Sequence, residues 1–230
     1  LHDALPICQN FTYSFNPSYN LSNVLKLFLN VSSGFKAPSL YQLFSPYGNK
    51  NLNPELSKSM ELGLQLYSKT RLSNIRALYF TRNLKDVIFF QSLSVDPYGQ
   101  YINFDKQKDK GVEIEGTSKF GKANFWGNYT YVTGAITTKS ASGDTTYNNL
   151  FRRPKHQFNL GMGYEITKKL FSSVAVKSVG ERIDKFYNNE TYSTENVSLK
   201  AYTTIDIYAE YKVLPNMKLY LDLRNVTNKL

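Results

Sequence analysis

Apolar and polar residues alternate along most of this sequence. From 217 to 224, Met217, Leu219, Leu221 and Leu223 interleave with Lys218, Tyr220, Asp222 and Arg224. From 201 to 212, Ala201, Thr203, Ile205, Ile207, Ala209 and Tyr211 oppose Tyr202, Thr204, Asp206, Tyr208, Glu210 and Lys212. The same period returns at 156–166, 24–31 and 60–67, where Met60, Leu62, Leu64 and Leu66 stand against Glu61, Gly63, Gln65 and Tyr67. A period of two sorts the two sets onto opposite faces of a strand, whereas helical spacing would mix them. The pattern predicts ten strands: 11–18, 24–33, 57–68, 73–90, 99–120, 122–138, 155–166, 169–182, 199–212 and 217–227. The least regular is 73–90, because Leu78 and Phe80 share a face with Arg76 and Arg82.

The connections sort by length. Asn20–Asn23, Ser68–Arg71, Phe120–Lys122, Thr167–Lys169 and Leu214–Asn216 are short turns that follow every second strand. Between them lie longer polar stretches at 34–56, 91–109, 139–154 and 183–198. Tight turns at one end and long loops at the other are the layout of outer-membrane barrels. Several strands exceed ten residues, against five or six in soluble sheets, and a tilted crossing of a bilayer takes ~9–11. The expected fold is therefore all-β: an antiparallel, up-and-down transmembrane β-barrel, here a partial one of about ten strands. Tyr13, Phe15, Tyr164, Phe171 and Tyr211, near strand ends, are expected to form interfacial girdles.

Composition sharpens this picture. With 18 Tyr and 15 Phe, the chain is too rich in aromatics to remain unfolded. It has no apolar run of the ~20 residues that a membrane helix needs. Glu61, Gln65, Glu113, Glu115, Lys119, Asp206, Glu210 and Asp222 would be costly to bury unpaired. The polar face is thus expected to meet a wet or polar-plugged lumen, while closure satisfies every sheet edge. The net charge of +10 is spread over turns, strands and loops. Nucleic acid is therefore not expected as a partner, whereas outer-membrane lipid and lipopolysaccharide suit loop cations. The lone Cys8 allows no internal disulfide. Residues 1–10 lack both the alternation and the plan of a signal peptide. They read as a foreign or disordered leader, and 11–230 as the barrel. The last strand runs upward without a returning partner, so at least one further strand is expected after it.

Several motifs follow one another in order. Gly34-Phe35-Lys36-Ala37-Pro38-Ser39 leads to Gly48-Asn49, to Leu52-Asn53-Pro54-Glu55 and to Glu61-Leu62-Gly63. Lys110-Gly111-Val112-Glu113-Ile114-Glu115, Arg152-Arg153-Pro154-Lys155-His156, Tyr202-Thr203-Thr204-Ile205-Asp206 and Arg224-Asn225-Val226-Thr227-Asn228-Lys229 come later. Together they resemble the barrels of TonB-dependent outer-membrane receptors from about Phe11 to Leu230. The resemblance implies strands twelve to twenty-one of a twenty-two-stranded barrel, without the plug, the first half of the barrel or the last strand. It implies a bacterial outer-membrane location and import of a scarce small molecule, cobalamin or a ferric siderophore. It further implies coupling through the plug to TonB and its inner-membrane energising complex. Gly34, Phe35, Ala37, Pro38, Glu55, Arg153, Pro154 and Asn225 would be its structural motif residues.

No catalytic set emerges, so an enzyme is not expected, and a passive porin or a secreted β-sheet adhesin or lectin domain remains the alternative. His156 at a strand start reads as an interfacial residue, and Glu113 with Glu115 as lumen polarity. No His, Cys and Asp cluster has metal-ligand spacing, and no glycine pattern cradles a phosphate, so neither metal nor cofactor is expected. Ligand contact should fall to the loops, because rigid scaffolds carry recognition there. Their aromatics Tyr98, Tyr101, Tyr147, Phe186, Tyr187 and Tyr192 offer contact area with a polar handle.

Overall fold

The computed structural model describes residues 10–93, 95–138, 145–148, 150–191 and 193–229. The leader at 1–10 thus lies outside the described residues, apart from Asn10. Antiparallel strands make up most of the rest: β1 (Ser14–Phe15), β2 (Ser18–Asn20), β3 (Leu25–Lys36), β4 (Glu55–Tyr67), β5 (Ser73–Ser92), β6 (Gly99–Phe120), β7 (Ala123–Thr138), β8 (Thr145–Tyr147), β9 (His156–Glu165), β10 (Leu170–Val179), β11 (Arg182–Asn188), β12 (Ser193–Leu199), β13 (Tyr202–Leu214) and β14 (Met217–Leu223). One short helix, α1 (Leu40–Phe44), lies between β3 and β4.

The large sheet runs β1-β3-β4-β5-β6-β7-β9-β10-β13-β14, with β2 also on β3 and β8 also on β7. Along this path each strand lies antiparallel to the one before it, an up-and-down meander, while β11 and β12 form a separate two-stranded sheet. The two ends of the meander do not pair with each other among the described residues, so the barrel wall is open.

Three local features differ from the alternation pattern. The first predicted strand is two short ones, β1 and β2, broken at Pro17 but both held on β3. Proline has no N–H for the ladder, yet its carbonyl accepts from the Leu29 N–H at 3.0 Å. The 183–198 stretch, expected as loop, folds largely into the β11–β12 hairpin. The last strand is regular only to Leu223, after which Asn225 adopts a φ of 50°. The chain still follows β13, with the Val226 N–H donating to the Ile205 carbonyl at 2.9 Å.

The register assigns the faces. Lys26, Gln65, Arg76, Glu115, Asn128, Asn159, Lys177 and Thr204 stand opposite one another in a single row across eight strands. The neighbouring row, on the other face, is Leu25, Leu66, Ile75, Gly116, Gly127, Leu160, Val176 and Ile205. On this second face Leu27, Leu62, Leu66, Ile75, Leu160 and Leu221 are between 39% and 55% exposed, and no second layer of the described residues covers them. An apolar surface this broad far exceeds what a water-soluble monomer shows. It is the hydrocarbon-facing side of the wall.

Rows and turns are staggered. The row that holds Leu66 one residue from the end of β4 holds Leu160 five residues from the end of β9 and Ile205 nine from the end of β13. Such a shear is what tilted barrel strands require. Aromatics mark both edges of the apolar band. Phe120, Phe125, Tyr164 and Tyr211 lie near the short turns, and Tyr131 and His156 near the opposite edge. Tyr13 and Phe15 also take the outer face, through the register of β1 on β3. Phe171 does not, contrary to expectation. It stands opposite Glu165 and Glu210 on the inner face, with its ring 6.4 Å from that of Tyr208.

Candidate functional site

The long-loop end of the wall is where packed side chains concentrate. Among the described residues, buried apolar side chains are few: Leu43 and Leu52 lie in the β3–β4 connection, Leu150 lies before the Arg152-Arg153-Pro154 turn, Leu78, Ile136 and Val179 face inward from the strands, and the small Ala123 starts β7. The loops therefore build their own small cores on the inner side, because the outer side belongs to lipid.

The β3–β4 connection explains the first group of motif residues. At Gly34 the Ser57 hydroxyl lies 3.0 Å from where a Cβ would stand and donates to the Gly34 carbonyl at 3.3 Å. Phe35 faces outward opposite Leu56. Ala37 is exposed in the short link, and Pro38, which has no N–H to give, ends the ladder there. Ser39 then caps α1. Its hydroxyl accepts from the Gln42 N–H at 3.2 Å, and the Ser39 N–H donates to the Gln42 Oε1 at 2.9 Å, a reciprocal capping box. Beyond Leu52, Glu55 Oε1 accepts from the Lys36 Nζ and from the Ile88 N–H, each at 3.1 Å. Close by, the Asp86 carbonyl accepts from the Asn103 Nδ2 at 2.6 Å where Asp86 takes a φ of 55°. Glu55 thus ties the loop to the tall β5–β6 hairpin.

The same loop lays aromatics against the inner side of that hairpin. Tyr101 packs edge-on to Phe90 at 5.3 Å and to Tyr41 at 6.2 Å, and Tyr47 meets Phe90 at 5.6 Å. The Tyr101 N–H donates to the Tyr47 carbonyl at 3.0 Å. Tyr101, singled out in the sequence as a ligand contact, therefore sits inside a ring cluster, and Tyr41 and Tyr47 join it without any signal in the alternation. Tyr98 stands apart at the hairpin tip, 69% exposed. Tyr147 packs its ring 5.8 Å from Phe151, and Phe186 lies exposed on β11. Tyr187 is in β11 too, but its side chain lies outside the described residues, as does the whole of Tyr192. The ring contacts of Tyr101 and Tyr147 are made with other residues, and neither ring meets the other, Tyr98 or Phe186.

A second cluster centres on Asp109, which is 1% exposed. Its carboxylate accepts from Arg82 directly across the β5–β6 ladder, from the Arg153 Nη1 at 2.9 Å and from the Gln107 Nε2 at 2.9 Å. Two guanidiniums and an amide leave the buried charge fully paired, as its burial demands. This group anchors the turn carrying Arg153 and Pro154. Arg152 points the other way, bonding both Asp184 carboxylate oxygens at 2.8 and 2.9 Å while its N–H donates to the Ile183 carbonyl. That charge-assisted bond holds the Arg152 pKa above its ordinary value, and the contact docks the β11–β12 hairpin on the turn. Between them lies a cavity of about 240 Å³ lined by Val132, Leu150, Arg153, Lys155, Arg182 and Ile183, among others. The Arg182 Nε is buried there without a hydrogen-bond partner among the described residues, while its guanidinium lies 5.4 Å from the centre of the Tyr202 ring.

The last two motifs meet each other. The Asp206 Oδ1 accepts from the Asn225 N–H at 2.7 Å. Asn225 in turn folds the tail with its own amide, which accepts from the Lys229 N–H at 3.0 Å and donates to the Lys229 carbonyl at 2.7 Å. His156 lies on the outer face, its Nδ1 2.8 Å from the Tyr129 hydroxyl. Among the described residues no group of three or more His, Cys, Asp and Glu gathers in metal-ligand fashion.

The sequence matches the family described as TonB dependent receptor-like, beta-barrel, over residues 7–226. The chain belongs to this family. Among its relatives, TonB-dependent receptors included, the vitamin B12 transporter BtuB of Vibrio cholerae is 29% identical over 221 residues, which are 94% of this chain and 32% of that protein. Two solved structures share the fold. The pyoverdine outer-membrane receptor FpvA of Pseudomonas aeruginosa has a TM-score of 0.74 at 19% identity, covering 94% of this chain and 31% of that one. The FrpB iron transporter of Neisseria meningitidis has a TM-score of 0.76 at 15% identity, covering 96% and 35%. This chain thus spans about a third of the length of the proteins it matches. The family's place is the outer membrane, and these relatives are transporters and receptors.

Proposed function

We propose that the receptor carrying this chain imports a scarce nutrient in a TonB-dependent way, and that cobalamin is its cargo, with a ferric siderophore as the second choice. The observation that carries the reading is the match to vitamin B12 transporters along more than nine-tenths of the chain. The mouth supports it. Aromatic rings and a cationic cavity on inward-folded loops suit a large, partly planar solute with polar substituents. In this scheme the loops and lumen capture the ligand, and TonB, energised from the inner membrane, moves a plug that the wall surrounds.

The test is uptake of radiolabelled cyanocobalamin at nanomolar concentration by cells whose sole candidate receptor is the full-length protein. Uptake should occur with TonB present and vanish when TonB is deleted. Uptake that persists without TonB identifies a passive pore. Absence of cobalamin uptake beside TonB-dependent uptake of a ferric siderophore replaces the cargo and keeps the mechanism.

A further inference from the structure

The inner and outer faces of β4, β5 and β6 differ in how their cations are partnered. Inward, Arg82 and Arg153 hold Asp109, Arg76 holds Glu115 at 3.1 Å, and Lys36 holds Glu55. Outward, the register gathers Lys58 on β4, Lys85 on β5, and Lys106, Lys108 and Lys110 on β6. Lys58 and Lys108 flank Asn83 in one row, Lys85 faces Lys106, and Lys110 faces Thr81. All five lysines are exposed. Lys58, Lys85, Lys108 and Lys110 make no ion pair among the described residues. Among the paired residues of these three strands whose side chains are described, no Asp or Glu takes the outer face, since Glu55, Glu61, Asp109, Glu113 and Glu115 all fall on inner rows. At ordinary strand spacings the five Cα positions fit within roughly 10 Å by 13 Å.

Their height is the second observation. Lys58 lies nine residues above the turn after Tyr67, and Lys110 ten above the turn after Phe120. At ~3.3 Å per residue and a tilt near ~40°, that is about 23–25 Å. An apolar band of about 25 Å ends there, and directly beneath are Leu62, Tyr79 and Val112. The lysines therefore begin where hydrocarbon gives way to the headgroups of the outer leaflet.

We propose that this patch is a binding site for a phosphorylated glycolipid of the outer leaflet. Its phosphates would engage Lys58, Lys108 and Lys110, with Lys85 and Lys106 above them, while its acyl chains lie on the Leu62 and Val112 rows. Charge complementarity fixes the headgroup, and the apolar rows below fix the source as a lipid rather than free phosphate. The Asn83 amide and the Thr81 hydroxyl, between the lysines, can donate to the same oxygens.

The experiment uses the full-length receptor purified from outer membranes in mild detergent and stripped of lipid. Binding of bisphosphorylated lipid A is measured by native mass spectrometry, with inorganic phosphate and dephosphorylated lipid A as separate arms. The triple variant Lys58→Gln, Lys108→Gln, Lys110→Gln should bind at least tenfold more weakly. Lys26→Gln, Lys177→Gln, Lys212→Gln, which removes the same charge from inner-face positions, should bind as wild type. Affinity should fall as salt rises. Dephosphorylated lipid should bind as weakly to wild type as lipid A does to the triple variant, and millimolar inorganic phosphate should not compete. Unchanged binding in the triple variant, equal binding of dephosphorylated lipid, or full competition by inorganic phosphate would each overturn the site. If the triple variant does not migrate as a folded barrel, the single variants Lys58→Gln and Lys110→Gln carry the same comparison. The readout is independent of uptake, so loss of the cargo assignment leaves it intact.

Discussion

Glu61 and Leu62 are neighbours on β4 and look in opposite directions. Glu61 faces inward and accepts from the Asn30 Nδ2 at 2.8 Å. Leu62 faces outward and is 55% exposed with nothing of the protein over it. Repeated across the wall, the contrast shows that polarity here is set by the medium each face meets. Depth within a protein core has little to do with it. The inner face carries charge freely but answers much of it with a partner. The outer face carries none through the band and then, at its upper edge, five lysines.

The largest effect should come from placing an inner-face residue on the outer face. Leu62 lies five residues above its turn, near mid-membrane, so Leu62→Arg should cost about 2–4 kcal/mol. Unfolding of the full-length receptor in lipid vesicles by guanidinium measures this. A cost no greater than that of Leu62→Ala would mean this face does not meet hydrocarbon. Next comes a break in inner-face pairing. Asp109→Asn keeps the shape but strands two guanidiniums that are 36% and 45% exposed. That partial exposure lowers the penalty from the range for a fully buried pair to about 2–3 kcal/mol. The same unfolding assay should show the loss, accompanied by new protease cleavage at Arg152 or Arg153. Smallest is Glu55→Ala, which leaves the Ile88 N–H without its acceptor and should cost about 1–2 kcal/mol. Glu55→Gln should cost less, because the amide oxygen still accepts and only the exposed Lys36 pair is lost. Equal losses for the two would place the value of Glu55 in its charge.

Where a residue's surroundings repeat every second position, the sequence was readable. The alternation at 60–67 and 201–212 placed the strands and their faces, and loop lengths placed the turns. What it could not supply were contacts that close between distant segments. Asp109 looks like one more polar residue in 99–120 until register sets it opposite Arg82 and the loop brings Arg153 over it. The β11–β12 hairpin escaped because Arg182–Asn188 and Ser193–Leu199 pair with each other above the membrane, where no lipid demands an apolar face. Phe171 was misplaced because an aromatic near a strand end suits either medium, and only the pairing with Glu165 tells which. Tyr101 was found by composition, but its ring partners Tyr41 and Tyr47 come from a stretch whose course no periodicity describes. The lysine patch was hidden because only register brings Lys58 and Lys85 beside the alternating Lys106, Lys108 and Lys110 of β6.

The stagger of the turns has a consequence for anyone mapping this wall. Leu66 and Ile205 are joined through an unbroken series of cross-strand neighbours, yet one sits beside the periplasm and the other ~20 Å higher, given ~3.3 Å per residue and a tilt near ~40°. Walking along hydrogen bonds here means climbing a ramp, so residues at equal depth are never the ones that face each other in the ladder.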